Sequence, residues 1–98
     1  MSQYHKQLQH AFKDLATGVS TEVISADPQR VWLLLQNDSA DVMYLTIGTG
    51  PAVMNQGIRL ASHGGSVELS RETGFHDVRA IHAIHGGAGN ARLLLTWA

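Results

Sequence analysis

Two apolar runs of strand length, separated by one polar turn, constrain this fold more than any other feature. Residues 31–35 are all apolar, a polar turn spans residues 37–40, and a second largely apolar run covers residues 42–47. Side chains of a strand alternate between two faces, so the first run places apolar groups on both. This strand is therefore either central in a two-layer core or covered by something outside its own sheet. In a chain of 98 residues the second option points to a partner.

The composition fits one domain with an unusually uncharged surface. Only 15% of the residues are charged, against about 25% in globular domains, which suits either a protein in an assembly or a neutral polar surface. The net charge is −1 and the sequence contains no basic stripe, so nucleic-acid binding is not expected. The absence of cysteine excludes disulfides and thiolate metal sites and fits a reducing cytoplasm. We expect neither a signal peptide nor a membrane span.

The hydrophobic period changes once along the chain. Apolar residues in the first segment recur as on one face of a helix, which predicts an N-terminal amphipathic helix or arm over residues 1–18, ended by Gly18. The residues of this stripe are Tyr4, Leu8, Ala11, Phe12 and Leu15. The stripe must dock either on the chain's own sheet or on a neighbouring subunit, and these alternatives stay open.

Period-two segments follow Gly18 and predict a second unit over residues 19–98. About seven short strands are expected at residues 21–25, 30–36, 42–47, 57–60, 66–69, 78–85 and 91–97. Turn signals at such short spacing are typical of an all-β sandwich or a small barrel. Of these we expect a small jelly-roll-like or Ig-like β-sandwich. The strands at 57–60 and 66–69 are expected to pair as a hairpin around Gly64-Gly65. The predicted core comprises Val31, Trp32, Leu33, Leu35, Met43, Leu45, Ile47, Leu93 and Leu95.

No residue pattern indicates catalysis, so we predict a protein that is not an enzyme and has no catalytic, cofactor-binding or metal-binding residues. His82 and His85 are three apart, which on a strand places them on opposite faces and prevents joint chelation. The loop residues His63 and His76 could join one of them in a metal site, but surface or turn histidines are the better interpretation; a pH-sensitive contact is a further alternative. The glycine-rich segments at 48–50 and 86–89 precede no helix, so they indicate turns and not phosphate loops.

A surplus of apolar side chains suggests where function lies. Trp32, Leu34, Tyr44 and Leu94 fall on the second faces of their strands. With the N-terminal stripe they exceed what one small core needs. The predicted partner interface comprises Tyr4, Leu8, Phe12, Leu15, Trp32 and Tyr44. A sugar-stacking surface of Trp32, Tyr44 and Trp97 is the alternative of another class. Arg30 is expected to anchor its strand through a carboxylate or backbone carbonyls.

From residue 19 onward a set of short motifs follows in a fixed order. An Arg precedes an apolar strand ending in Gln36-Asn37, and a second strand with a central Tyr ends in Gly48. Then come Gly57-Ile58-Arg59-Leu60, Gly64-Gly65-Ser66, and Ala80-Ile81-His82-Ala83-Ile84 before a glycine-rich turn. This order resembles that of small structural proteins of tailed bacteriophages. This chain has His82 and His85 where the family often has Tyr and Ser.

The resemblance implies a non-catalytic β-sandwich of the virion, assembled in the host cytoplasm, most simply a capsid decoration or cement protein. Its partners would be the major capsid protein or other virion proteins, and sister subunits in a homo-oligomer, for which a trimer is favoured. No cofactor, nucleic acid or membrane is implied. A tail, head–tail connector or head-fibre-base component is the alternative within the class, and a carbohydrate-binding module the alternative outside it.

Overall fold

The computed structural model describes residues 8–70 and 78–98 and is all-β in those ranges. Eight strands form two four-stranded antiparallel sheets. The first sheet has the order β1-β8-β3-β6 and the second the order β2-β7-β4-β5. The strands are β1 (Gln9–Leu15), β2 (Thr21–Ile24), β3 (Trp32–Asp38), β4 (Met43–Ile47), β5 (Ile58–Leu60), β6 (Ser66–Ser70), β7 (Ile81–His85) and β8 (Ala91–Trp97).

The chain passes repeatedly between the sheets, and among the eight strands of the described ranges β4 and β5 are the only consecutive ones that pair. The other ladders join strands distant in sequence, such as β1 with β8 and β2 with β7. Apolar side chains from both sheets meet in one core, so the predicted all-β sandwich is confirmed at this level. The core residues are Leu15, Val23, Leu33, Leu35, Met43, Leu45, Leu60, Leu69, Ile81, Ala83, Ala91, Leu93 and Leu95.

Strand alternation explains which predicted core residues are buried. Leu33 and Leu35 point inward from β3, whereas Trp32 and Leu34 point to the other face and are only half-buried. Ile47 packs against the core from its margin. Val31 precedes the strand and is half-buried, so the placement of Val31 and Trp32 in the core was wrong.

The predicted N-terminal helix is wrong over the described residues, because residues 9–15 form strand β1 of the first sheet. Every residue of β1 has a partner on β8, from Gln9 opposite Trp97 to Leu15 opposite Ala91. An isolated helix of about four turns is marginal in water. As a strand, the same segment satisfies the backbone N–H and C=O groups of β8, which would otherwise be the edge strand of the first sheet. Residues 8–18 thus belong to the sandwich and are not a separate arm; residues 1–7 lie outside the described part.

The predicted hairpin between residues 57–60 and 66–69 is also wrong. β5 pairs with β4 in the second sheet, and β6 pairs with β3 in the first, so the connection between them crosses the sandwich. Gly64 does adopt a positive φ of 104°, but it serves this crossing and donates its N–H to the carbonyl of Asn37 at 2.7 Å. A pair of glycines between two strands predicts a turn, but it does not specify whether those two strands pair with each other.

Candidate interaction surface

The outer face of the first sheet carries an apolar patch. Phe12 lies opposite Leu94, and Leu34 lies on the next strand of the same face. Phe12 is 53% exposed, while Leu34, Leu94 and Trp32 are half-buried. We call these four residues, Phe12, Leu94, Leu34 and Trp32, the apolar outer face. Among the described residues no loop with buried apolar side chains lies over it.

Charged side chains surround the apolar outer face. The Trp32 Nε1–H donates to Glu68 at 2.6 Å. The Arg92 guanidinium lies 4.3 Å from the centroid of the Phe12 ring, a cation–π arrangement, and its Nε is 3.4 Å from Asp14 Oδ1. Asp38 lies opposite Arg92 on β3. Three carboxylates therefore border the patch and one arginine lies within it, so the surface is apolar at its centre and mainly acidic at its margin.

The outer face of the second sheet is different, because the chain covers it with its own loop. The Tyr44 hydroxyl bonds Asn55 Oδ1 at 3.0 Å, and the Ala52 N–H donates to Ser20 Oγ at 2.8 Å. Ala52 and the outward-pointing Ile84 are both buried as a result. The outer faces of the two sheets therefore differ: the face of the second sheet is covered by a loop of the same chain, and the apolar outer face of the first sheet is open.

Strand β1 forms the edge of the first sheet next to the apolar outer face. Leu8 is 50% exposed, and all residues from Gln9 to Asp14 are exposed. Only Leu15 is buried in the core, where β1 approaches the second sheet. The strand is therefore held by its ladder with β8 and by one end, and both of its faces are otherwise accessible.

The predicted interface residues fall into five settings. Tyr4 lies outside the described residues. Leu8 and Phe12 are exposed on β1 or just before it, whereas Leu15 is fully buried in this chain's own core and presents nothing to a partner. Trp32 belongs to the apolar outer face. Tyr44 lies on the other sheet, beneath the loop that contains Asn55.

The aromatic residues considered for sugar stacking do not share a surface. Trp32 is on the outer face of the first sheet and Tyr44 on the outer face of the second. Trp97 lies on the inward face of β8, together with Leu93 and Leu95, and packs against the core. No single ligand ring could stack on all three.

The histidines of β7 lie on opposite faces of the strand. His82 points outward and lies against Gly50 of the covering loop, where an added Cβ would come within 2.6 Å of the ring. His85 points inward and is fully buried. Its Nε2 lies 2.7 Å from the carbonyl oxygen of Leu15, and its Nδ1 accepts the Gly87 N–H at 3.2 Å. His85 therefore joins the end of β1 to the second sheet through hydrogen bonds at both ring nitrogens.

Two buried polar residues organise the ends of the sandwich. Arg30 donates from Nη1 to the carbonyl of Ser25 at 3.1 Å and from Nη2 to that of Arg79 at 2.9 Å, so the expected anchoring through backbone carbonyls is confirmed. Asn37 was not singled out from the sequence. Its side chain points inward from β3, on the same face as Leu33 and Leu35, and is fully buried. Extending the period-two pattern by one step could have found it.

Comparisons with known proteins identify no family for this chain: no family model, no curated protein and no solved structure matches it. In the described ranges, no group of three or more histidine or carboxylate side chains is arranged to hold a metal ion. No helix in those ranges is long and apolar enough to span a bilayer.

Proposed function

We propose that this protein is a non-catalytic structural component of a tailed-phage virion, a capsid decoration or cement protein that binds the head shell. The observation that carries the proposal is the asymmetry of the sandwich: one outer face lies under the chain's own loop, and the other leaves an apolar patch open. The order of sequence motifs that resembles virion proteins supports the same assignment.

The strand order further supports a jelly roll as the kind of sandwich. Strands pair as β1 with β8, β2 with β7, β3 with β6 and β4 with β5. This is the order obtained when an antiparallel ribbon of four strand pairs is wrapped so that the first pair lies beside the third and the second beside the fourth. Jelly rolls of eight strands are frequent in viral capsid proteins and in lectins, and the dispersed aromatic residues favour the first of these.

In this proposal the apolar outer face binds an apolar patch of the shell. Burying side chains such as Leu34 and Leu94 would stabilise the contact by about 1.5–3 kcal/mol each before the costs of association. The acidic margin formed by Asp14, Asp38 and Glu68 favours a shell surface with basic residues around its apolar centre. Such a surface would orient the protein on the particle, while the buried apolar side chains would supply most of the affinity.

The first test is the number of copies per particle, measured by quantitative mass spectrometry of purified virions of the source virus. A ratio approaching one copy per capsid subunit, or a fixed number at each local symmetry axis, supports decoration. A dozen or a few dozen copies would move the protein to the tail, the neck or a head-fibre base. Complete absence would refute the virion assignment.

The second test places the contact on the apolar outer face. Purified protein is added to particles that lack it, and binding is compared between Leu34→Gln and Val53→Gln. Both changes replace an apolar side chain by an amide, but Val53 is 43% exposed in the loop over the other sheet. Leu34→Gln should weaken binding about tenfold or more, and Val53→Gln should not. Equal binding by the two variants would refute this face as the contact.

A further inference from the structure

We propose that β1 pairs with β1 of a second copy of this chain, antiparallel and about a two-fold axis at Phe12, so that two first sheets join into one continuous sheet. The inference does not rest on the virion role. It rests on the edge of the first sheet, on the direction of its unpaired backbone groups and on the carboxylate and imidazole side chains that one register brings together.

Of the four edge strands in the two sheets, β1 is the most open to a further strand. β5 has only three residues, and β2 has four with a register shift between Glu22 and Ile24. β6 has five residues, whereas β1 has seven in an unbroken ladder. Sheet edges are protected by short strands, by irregular ladders or by charged side chains. β1 is neither short nor irregular, and its charged side chains, Lys13 and Asp14, restrict which register a second strand can adopt.

The backbone groups that β1 presents outward follow from the ladder of its neighbour. Ala98 and Trp32 exchange two hydrogen bonds, N–H of Ala98 to O of Trp32 at 3.1 Å and N–H of Trp32 to O of Ala98 at 3.3 Å. Such pairs alternate along antiparallel strands, so even-numbered residues of β8 bond β3 and odd-numbered ones bond β1. The odd-numbered residues of β1 therefore face β8, and the N–H and C=O groups of His10, Phe12 and Asp14 point away from the sheet.

A two-fold axis perpendicular to the sheet can pair these even-numbered residues with one another. When the axis passes Phe12, the midpoint of β1, Phe12 lies opposite its own copy, and His10 lies opposite Asp14 of the second copy at both ends. Ala11 then lies opposite Lys13 of the second copy. Every outward backbone group of the strand is paired in this register, and each end joins a carboxylate to an imidazole.

Neighbouring registers are less favourable. Moving the axis to Lys13 places two lysines opposite each other, and like charges directly opposite are destabilising. Moving it to Ala11 places Asp14 opposite the apolar Leu8. The register at Phe12 is thus selected by charge as well as by length, and it predicts a two-fold contact where the resemblance to decoration proteins implies a trimer.

The consequence for the surface is a doubled patch. Because a perpendicular two-fold axis keeps the same face of both sheets on the same side, the two copies of the apolar outer face would lie side by side. The Phe12 rings would adjoin at the centre, each with the Arg92 guanidinium of its own copy beside it.

The test is the oligomeric state of the full chain in solution, by sedimentation equilibrium, for the wild type and three variants. In His10→Asp a carboxylate lies opposite Asp14 of the second copy at both ends of the ladder. In Asp14→His two imidazoles lie opposite each other. The double variant His10→Asp/Asp14→His exchanges the two groups and keeps the composition of the wild type. Within one strand these side chains are four residues apart, too far to contact, so only pairing between copies can couple them.

We expect a wild-type dimer, a dissociation constant raised about tenfold in His10→Asp, and recovery to within about threefold in the exchanged variant. Urea unfolding of each variant confirms that it is folded. A wild type that stays monomeric or forms a trimer overturns the proposal, as does a dimer that His10→Asp leaves intact or the exchange does not restore. Leu34→Gln should dimerise normally, so failure of particle binding and failure of dimerisation are distinguished.

Discussion

Replacing Asn37 should be among the most destabilising single changes in this protein. Its Nδ2 donates to the carbonyls of Asp41 at 2.6 Å and Leu60 at 3.3 Å, and its Oδ1 accepts the Ser39 hydroxyl at 2.6 Å. It thereby joins the turn after β3 to the end of β5. Its main-chain N–H also donates to the Gly65 carbonyl at 2.8 Å, a bond that a substitution retains.

The magnitude follows from the side-chain bonds. Each contributes about 1 kcal/mol net, and a buried group left without its partner costs a further 1–3 kcal/mol or so. Asn37→Ala should therefore lower the free energy of unfolding by about 3–4 kcal/mol. Asn37→Asp keeps the side-chain volume but turns the donor into an acceptor facing two carbonyls, so it should destabilise at least as much. That second variant separates lost hydrogen bonding from lost packing.

The assay is urea unfolding followed by the fluorescence of Trp32 and Trp97, with Gln36→Ala as the matched control on the outer face of the same strand. With a denaturant slope of about 1 kcal/mol/M for a chain of this size, Asn37→Ala should lower the midpoint by roughly 3 M. Gln36→Ala should shift it by less than about 0.5 M. Midpoints that fall equally little in Asn37→Ala and Asn37→Asp would refute the role assigned to this side chain.

Four further changes test other contacts of the sandwich. His85→Leu removes the bond to the carbonyl at the end of β1 and should cost about 2–3 kcal/mol in thermal or urea unfolding; an unchanged midpoint would contradict that bond. Gly57→Ala should destabilise by about 3 kcal/mol or more, because Gly57 has a φ of 85° and an added Cβ would meet the Leu45 carbonyl. Gly18→Ala, at a φ of 69° but in open space, should cost only about 1 kcal/mol. Deleting residues 1–17 should abolish cooperative unfolding, since it removes β1 with its buried end; a truncated chain with wild-type stability would contradict the place of β1 in the sheet.

Alternation along the strands made much of the sandwich predictable from the sequence. β8 was predicted with its observed ends, and the inward positions of β3 and β4 follow directly from period two. The same rule identified Leu34 and Leu94 as apolar side chains on second faces. Those positions needed no knowledge of which strands are neighbours, because the direction of a side chain is a local property of its strand.

The pairing of the strands and the covering of one outer face by a loop were not predictable in this way. In residues 8–15 the apolar residues are three and four apart, which fits a helix. The segment forms a strand because β8 offers a free edge with which it can pair. Local propensity also could not show that β5 and β6 separate into different sheets. Nor could it show that one outer face, with Tyr44, lies under residues 50–56 while the face with Trp32 stays open. Each outcome depends on contacts between segments far apart in the chain.

The position of β8 between β1 and β3 has a consequence for the order in which this protein can fold. β8 is the last strand described, yet it lies between two strands made much earlier, β1 and β3, which do not pair with each other and are joined only through residues 91–97. During synthesis the first sheet therefore cannot close until those residues have left the ribosome. Until then β1 has no neighbour, and an exposed, unpaired strand can be captured by other chains. We therefore expect folding to occur late and slowly, as is usual for sheets built from distant segments.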